Sequence, residues 1–288
     1  MVKISETVIN SYYSSKVNES IDFSTLAPIL EMLEKINSGS GGELGLMESD
    51  PSFEVYSLVQ NVMSYFAEEL SLWEEFSDFN DKAEIMQEEY LPSFPPMSPI
   101  TNSYFTYWAY CDMQFGKQKE TINTILADVG LAYLFDKTVM RALTNLNSSC
   151  MRFYKHLGFK NDMIVLKDIL TGETYSCICI SGHKGQEHEI WYARIVSTLD
   201  NTLNYYLVLT TPYVILNYTE KHWIEFFQRR GIHTKKKGFN EEYHALMKQH
   251  PDLKYWHDYI MDGYVNYTSG CIYLTGIPDI ESSKPHSS

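Results

Sequence analysis

Arg229, Arg230, Lys235, Lys236 and Lys237 fall within nine positions of one another, just after Trp223, Phe226 and Phe227. Cations beside aromatic rings suit contact with phosphates and stacking on bases, so this cluster is the candidate nucleic-acid surface. A second chemistry is nucleophilic. The chain has five cysteines, Cys111, Cys150, Cys177, Cys179 and Cys271, and nine histidines. A thiol beside an imidazole can attack an electrophilic carbon. Cys177 or Cys179 could be paired with any of the histidines, and the spacing selects none. His183 to Glu189 packs two His and two Glu together, in a stretch that reads as a loop between strands. The sequence holds no phosphate-binding glycine loop, no Gly-x-Ser-x-Gly and no His-Glu-x-x-His, so the catalytic residues stay unknown.

The elements that must position these residues are mostly legible. Ser24 or Thr25 opens a helix over 24–36, with Leu26, Ile29, Leu30 and Leu33 on one stripe. A Gly/Ser linker follows at about 37–51. Apolar residues at helical spacing from Val55 to Trp73 predict a helix over 52–76. Four prolines make 91–100 a stiff connector rather than a helix. A helix capped by Asn102 or Ser103 comes next, and further helical pattern runs from about 117 to 146, interrupted near Gly130. At Ser149 the period changes to two. Met151–His156, Asp162–Ile169, Thr174–Ile180, Ile190–Ser197 and Leu203–Thr210 read as five short strands with tight turns, a small antiparallel sheet or barrel. After Thr219 the helical signals return. The expectation is an α+β chain: a helical region at 1–146, a β unit at 147–212, a helical region at 213–280 and a disordered tail at 281–288.

Composition narrows the function classes. The chain is 44% hydrophobic and 21% charged, which fits a protein that buries a core. Residues 43–89 carry thirteen Asp and Glu against Lys82 alone, so twelve of the fourteen net negative charges lie there. Such a block repels nucleic acid and reads as a solvated helix face. No stretch reaches the roughly 18 apolar residues of a membrane span. The N-terminal residues do not read as a secretory signal. Five unevenly spaced cysteines fit reduced thiols of the cytoplasm better than a disulfide framework.

One stretch resembles a known module. Val165-Leu166-Lys167-Asp168-Ile169-Leu170-Thr171-Gly172-Glu173, then Ser181-Gly182, then Ala193-Arg194-Ile195, is similar to a β module of an uncharacterised bacterial family with a helical N-terminal region. Some members carry a zinc knuckle of the kind found at the end of the preprotein-translocase motor. The resemblance covers about a quarter of the chain and implies a fold without a reaction. It also implies a ligand set, because Cys177-Ile178-Cys179-Ile180-Ser181-Gly182 looks like the first half of that knuckle. His188 and Glu189 stand where the second pair of ligands belongs, and His183 is a substitute for Glu189, so the metal candidates are Cys177, Cys179, His183 and His188. Zinc accepts such donors. The competing reading is that Tyr175, Cys177 and Cys179 line one face of a plain strand, since β-branched Ile178 and Ile180 prefer extended chain.

These observations lead to a noncatalytic intracellular interaction or adaptor protein whose partner is another protein, with no membrane and no cofactor unless zinc occupies the knuckle. The alternatives are a nucleic-acid-associated protein using the barrel and the basic loop, and a metal-dependent or hydrolase-type enzyme without a visible signature.

Overall fold

A computed structural model describes residues 2–18, 50–91, 98–200, 202–249 and 252–280. The expected helix at 24–36, its linker, the centre of the proline connector and the 281–288 tail lie outside the described residues. Among those described, nine α-helices and eight strands make an α+β chain. The helices are α1 (Ile4–Asn18), α2 (Pro51–Leu70), α3 (Ser77–Tyr90), α4 (Asn102–Cys111), α5 (Ile122–Ala132), α6 (Lys137–Ser148), α7 (Glu220–Arg229), α8 (Phe239–Lys248) and α9 (Tyr255–Gly263). The strands are β1 (Met151–Lys160), β2 (Met163–Asp168), β3 (Thr174–Cys179), β4 (Ile190–Ser197), β5 (Tyr206–Val208), β6 (Tyr213–Leu216), β7 (Tyr264–Tyr267) and β8 (Ile272–Thr275). The chain divides into two compact units, Met1–Asn80 with Gln114–Asn147, and Asp81–Met113 with Ser148–Ser288. The sequence division at 147 and 213 groups the chain differently, because it leaves 81–113 with the N-terminal helices.

In the first unit, carboxylates close the helix starts. Asp50 accepts from the Ser52 and Phe53 amides at 2.8 and 3.2 Å, with Pro51 in the first turn. Glu120 accepts from the amides of Ile4 and Ser5 at 2.7 and 3.2 Å, which caps α1 from a distant part of the chain. Val55, Leu58, Val59, Val62, Met63, Phe66 and Leu70 bury the expected stripe of α2. The helix stops at Leu70 rather than running to 76. The Ser71 hydroxyl donates back to the Glu68 carbonyl at 2.6 Å, and the Asn80 amide takes the Ser71 carbonyl at 2.6 Å. Gly130 lies within α5 and does not interrupt it. A Cβ there would come within 2.8 Å of Met140 and Phe135, so the glycine lets the next turn of chain pack closely.

In the second unit the strand order is β1-β2-β3-β5-β4-β6-β8-β7, and β1 also pairs with β4. Five strands, β1, β2, β3, β5 and β4, therefore pair in a closed ring, and three more extend the sheet from β4. This corrects two expectations. The sheet is mixed, since β3–β5 and β6–β8 are parallel. It also takes β6, β7 and β8 from the region read as wholly helical. Each of these three is only four residues long, too short to give a periodic signal. The two β cysteines and Leu166 alternate inward with Tyr154, Trp191 and Ala193 to fill the core.

The motif residues behind the family resemblance have local structural reasons. The Asp168 carboxylate accepts from the Leu170 and Thr171 amides at 2.9 and 3.0 Å, and Gly172 takes φ +76°, which closes the β2–β3 turn. Arg152 meets the other Asp168 oxygen at 3.3 Å. Arg194, on β4, is buried and donates to Asp112 just beyond α4 and to the Ser149 hydroxyl at 3.2 Å. Lys248, at the end of α8, reaches the same Asp112 carboxylate at 3.4 Å and the Ser149 carbonyl at 3.2 Å. Helix α7 packs Trp223, Phe226 and Phe227 onto the sheet, with Trp223 stacked on Phe153 at 3.8 Å between centroids. His257 on α9 sits in an aromatic cage, with Trp108 at 4.4 Å, Tyr90 at 5.0 Å and Tyr104 at 5.4 Å.

Asp112→Asn leaves Arg194 and Lys248 buried without a countercharge. It is expected to lower unfolding stability by about 3–5 kcal/mol, read from urea midpoints. His257 gives a pH signature. Burial pushes its imidazole down to about 4, so the folded protein resists a proton that the unfolded chain takes up below about 6.5. Stability is complete above that value and falls as pH drops through the window from 6.5 to 4, by up to about 3 kcal/mol from this residue. His257→Phe is expected to flatten part of that slope; an unchanged slope in urea titrations between about pH 7 and about pH 4.5 would show that the imidazole is not shielded.

Candidate functional site

Two turns of the second unit meet at one end of the sheet. Strand β3 ends at Cys179, and the chain turns over Ser181 and Gly182, with the Gly182 amide bonded to the Cys179 carbonyl at 3.0 Å. The β7–β8 turn runs through Thr268-Ser269-Gly270-Cys271, closed by the Thr268 amide on the Cys271 carbonyl at 2.9 Å. The Ser181 hydroxyl donates to the Gly270 carbonyl at 2.6 Å and fastens one turn to the other. Gly270 allows a close approach: a Cβ there would stand 3.2 Å from both the Ser181 carbonyl and the His183 Cβ. This approach brings Cys271, the next residue, beside the His183 ring.

Cys271 Sγ lies 3.2 Å from Thr268 Oγ1. His183 Nε2 lies 3.8 Å from Glu189 Oε2 and has no aligned hydrogen-bond partner among the described residues. The same Glu189 oxygen accepts from the Trp191 indole N–H at 2.9 Å, which fixes the carboxylate. His183 also packs on Trp191, with ring centroids 5.1 Å apart. Gly185, at φ +65°, makes room: a Cβ there would come within 2.4 Å of Trp191 and 2.7 Å of Glu189.

The three groups bias one another toward their charged forms. Cys271 and then Glu189 push the His183 imidazole up to about 9. Burial pushes the Cys271 thiol up, but His183, Thr268 and Tyr273 together outweigh it and hold the thiol below its usual value. Burial also acts to raise Glu189, and His183 and Trp191 reverse it, leaving that carboxyl below its usual value. The three shifts share one sense, each toward the charged form of its group. The other four cysteines go the opposite way: burial raises Cys111 to about 12 and also raises Cys150, Cys177 and Cys179. A second Cys–His pair shows the contrast. Cys150 Sγ is 3.5 Å from His244 Nδ1, but the Arg152 guanidinium is 3.4 Å from the same nitrogen. Burial first, then Lys248 and Arg152, push His244 down to about 4, so that imidazole is neutral and draws no proton from the thiol.

The residues expected from sequence are dispersed. Cys177 and Cys179 lie in extended β3, side chains inward, as the strand reading has it. His183 joins Cys271 and Glu189, while His188 stands 75% exposed at φ +79°, 3.9 Å from Glu187. Among the described residues no three His, Cys, Asp or Glu side chains converge as metal ligands. In the basic cluster, Arg229 is held by both oxygens of Asp279 at 2.9 Å. Arg230 donates to the Tyr255 hydroxyl at 2.7 Å and lies over the Phe226 and Tyr255 rings. Lys236 pairs with Glu242 at 2.5 Å, and Lys235 and Lys237 are exposed. Trp223, Phe226 and Phe227 are fully buried, so they present no face on which a base could stack. Sequence reasoning missed Cys271, whose one signal was a Thr-Ser-Gly-Cys turn far along the chain from His183.

No family model matches the chain, and it has no match among curated proteins or solved structures.

Gly185→Ala is expected to displace the Trp191–Glu189 contact and, with the strained φ, to cost about 1–3 kcal/mol in thermal or urea unfolding. Wild-type stability would show that the 183–189 turn has room to spare.

Proposed function

We propose that this chain is a noncatalytic interaction protein, and that β7 is the edge on which it takes an extended segment of another protein. The observation that carries this reading is the state of that edge. β7 ends the sheet, and among the described residues it pairs with β8 alone. Its Tyr-Val-Asn-Tyr sequence presents Val265 at 43% and Tyr267 at 54% exposure. Natural edge strands are usually guarded by charge, proline or a covering element. β7 carries neither charge nor proline, and among the described residues no second strand pairs with it, which is the kind of edge that strand addition uses. Five unpaired cysteines support a reducing compartment such as the cytoplasm. Among the described residues no helix is long and apolar enough to cross a membrane. A nucleic-acid partner has weaker support, since Arg229, Arg230 and Lys236 already have partners within the fold.

Selection from a random peptide display library tests the reading. Peptides with alternating apolar residues should be recovered, and Val265→Lys with Tyr267→Lys should weaken them by about tenfold or more, or about 1.4 kcal/mol. The thermal transition should stay near wild type, since both positions are exposed. Recovery of no peptide, or equal binding by the double variant, would sink the proposal.

A further inference from the structure

Residues 252–280 hold themselves together as a piece. Helix α9 runs into β7 without an intervening residue. A Cβ on Gly263, the last residue of α9, would stand 2.6 Å from the Thr275 carbonyl, so α9 lies close against β8. The Tyr259 hydroxyl donates to the Gly276 carbonyl at 3.5 Å, and β7 pairs with β8. The five-strand ring closes without this piece, because β1 pairs with β4. The β6–β8 ladder, the Ser181–Gly270 bond and Cys271 in the core join it to the sheet. Two ion pairs, Lys254–Glu89 and Arg229–Asp279, lie near the surface, where such pairs contribute little. The docking of α9 itself falls to two buried rings. Trp256 packs on Tyr192, with centroids 5.5 Å apart. His257 is fully buried among Trp108, Tyr104 and Phe105 of α4 and Tyr90 of α3.

The titratable groups that face this imidazole offer it little. Burial pushes Tyr104 and Tyr90 up, so both are neutral. The Leu253 carbonyl and then Glu89 favour a proton on His257, and burial outweighs them. On the same helix, Asp258 accepts from the Tyr90 hydroxyl and Lys254 is paired with Glu89. An imidazolium formed here is a charge among rings, and it reaches water when α9 lifts away.

We propose that residues 252–280 are an acid-released unit: protonation of His257 frees α9, β7 and β8 together while the five-strand ring stays folded. Terminal strands and the elements joined to them open at lower free energy than the interior of a sheet. A proton taken up in the open form alone draws the unit toward that form as pH falls. The unit carries the β7 edge, but its release is measured without any partner, so the proposal does not rest on the interaction reading.

The experiment is hydrogen exchange of the full chain, followed by peptide mass spectrometry and corrected for intrinsic exchange, from about pH 7.5 to about pH 4.5. The slow amides of α9, β7 and β8 should share one opening free energy, lower than that of β1 to β4. Their open fraction should rise about tenfold for each pH step of one in the window from 6.5 to 4. His257→Phe should remove that rise. The proposal fails if these amides open together with those of β1 to β4, or if the rise persists in the variant. Should His257→Phe unfold, Asp258→Asn decides, since it takes away the neighbouring carboxyl: a retained rise sustains the proposal, and a lost one overturns it. A merely structural role for His257 would lower protection at every pH without changing the slope.

Discussion

Asp112 is a carboxylate that has left water, and the second unit is organised around it. Arg194 and Lys248, both buried, close on it, and the Ser149 hydroxyl and carbonyl take their remaining donors. A buried ion cluster of this kind contributes little net stability against a well-packed apolar alternative, but it is severe about geometry. The four residues come from the end of α4, the start of β1, the middle of β4 and the end of α8. Any arrangement that separates them strands a charge in the core. The cluster therefore sets where α4 and α8 meet the sheet, and so the position of the ring on which the loops depend.

Histidine shows how far residue type falls short of chemistry. His183, His244 and His257 are each largely withdrawn from solvent, yet they hold protons very differently. His257 is enclosed by rings that offer no charge, so burial decides and the imidazole stays neutral. His244 has cations near it, which deepen the same effect. His183 has a thiol and a carboxylate, and these overcome burial. Two of the three stand beside a cysteine, and their remaining neighbours push them in opposite directions.

This also explains what could be read from sequence. The helices with long apolar stripes were legible, as were the period-two strands β1 to β4, because each carries its own pattern. The strand reading of Cys177 and Cys179 was legible from Ile178 and Ile180. Whether the strands form an open sheet or a closed ring was left open by the sequence, since β1 and β4 are joined by register and not by any local signal. The strands β6 to β8 were hidden by their brevity. The Cys271 site was hidden for a deeper reason: its members come from two turns far apart in sequence, and the contact that assembles them is a serine hydroxyl on a glycine carbonyl. Trp223, Phe226 and Phe227 misled in the other direction, since aromatics at helical spacing serve a core and a stacking surface with the same pattern.

The ring has a consequence for how many neighbours the molecule can accept. A simple open sheet has two ends, and an object with two sticky ends can grow into a fibre. Here β1 has turned back onto β4, and among the described residues β7 alone is left with a single partner. Among the described residues the sheet therefore ends at one edge, where an open sheet would end at two. Closure at one end makes an unguarded edge tolerable at the other.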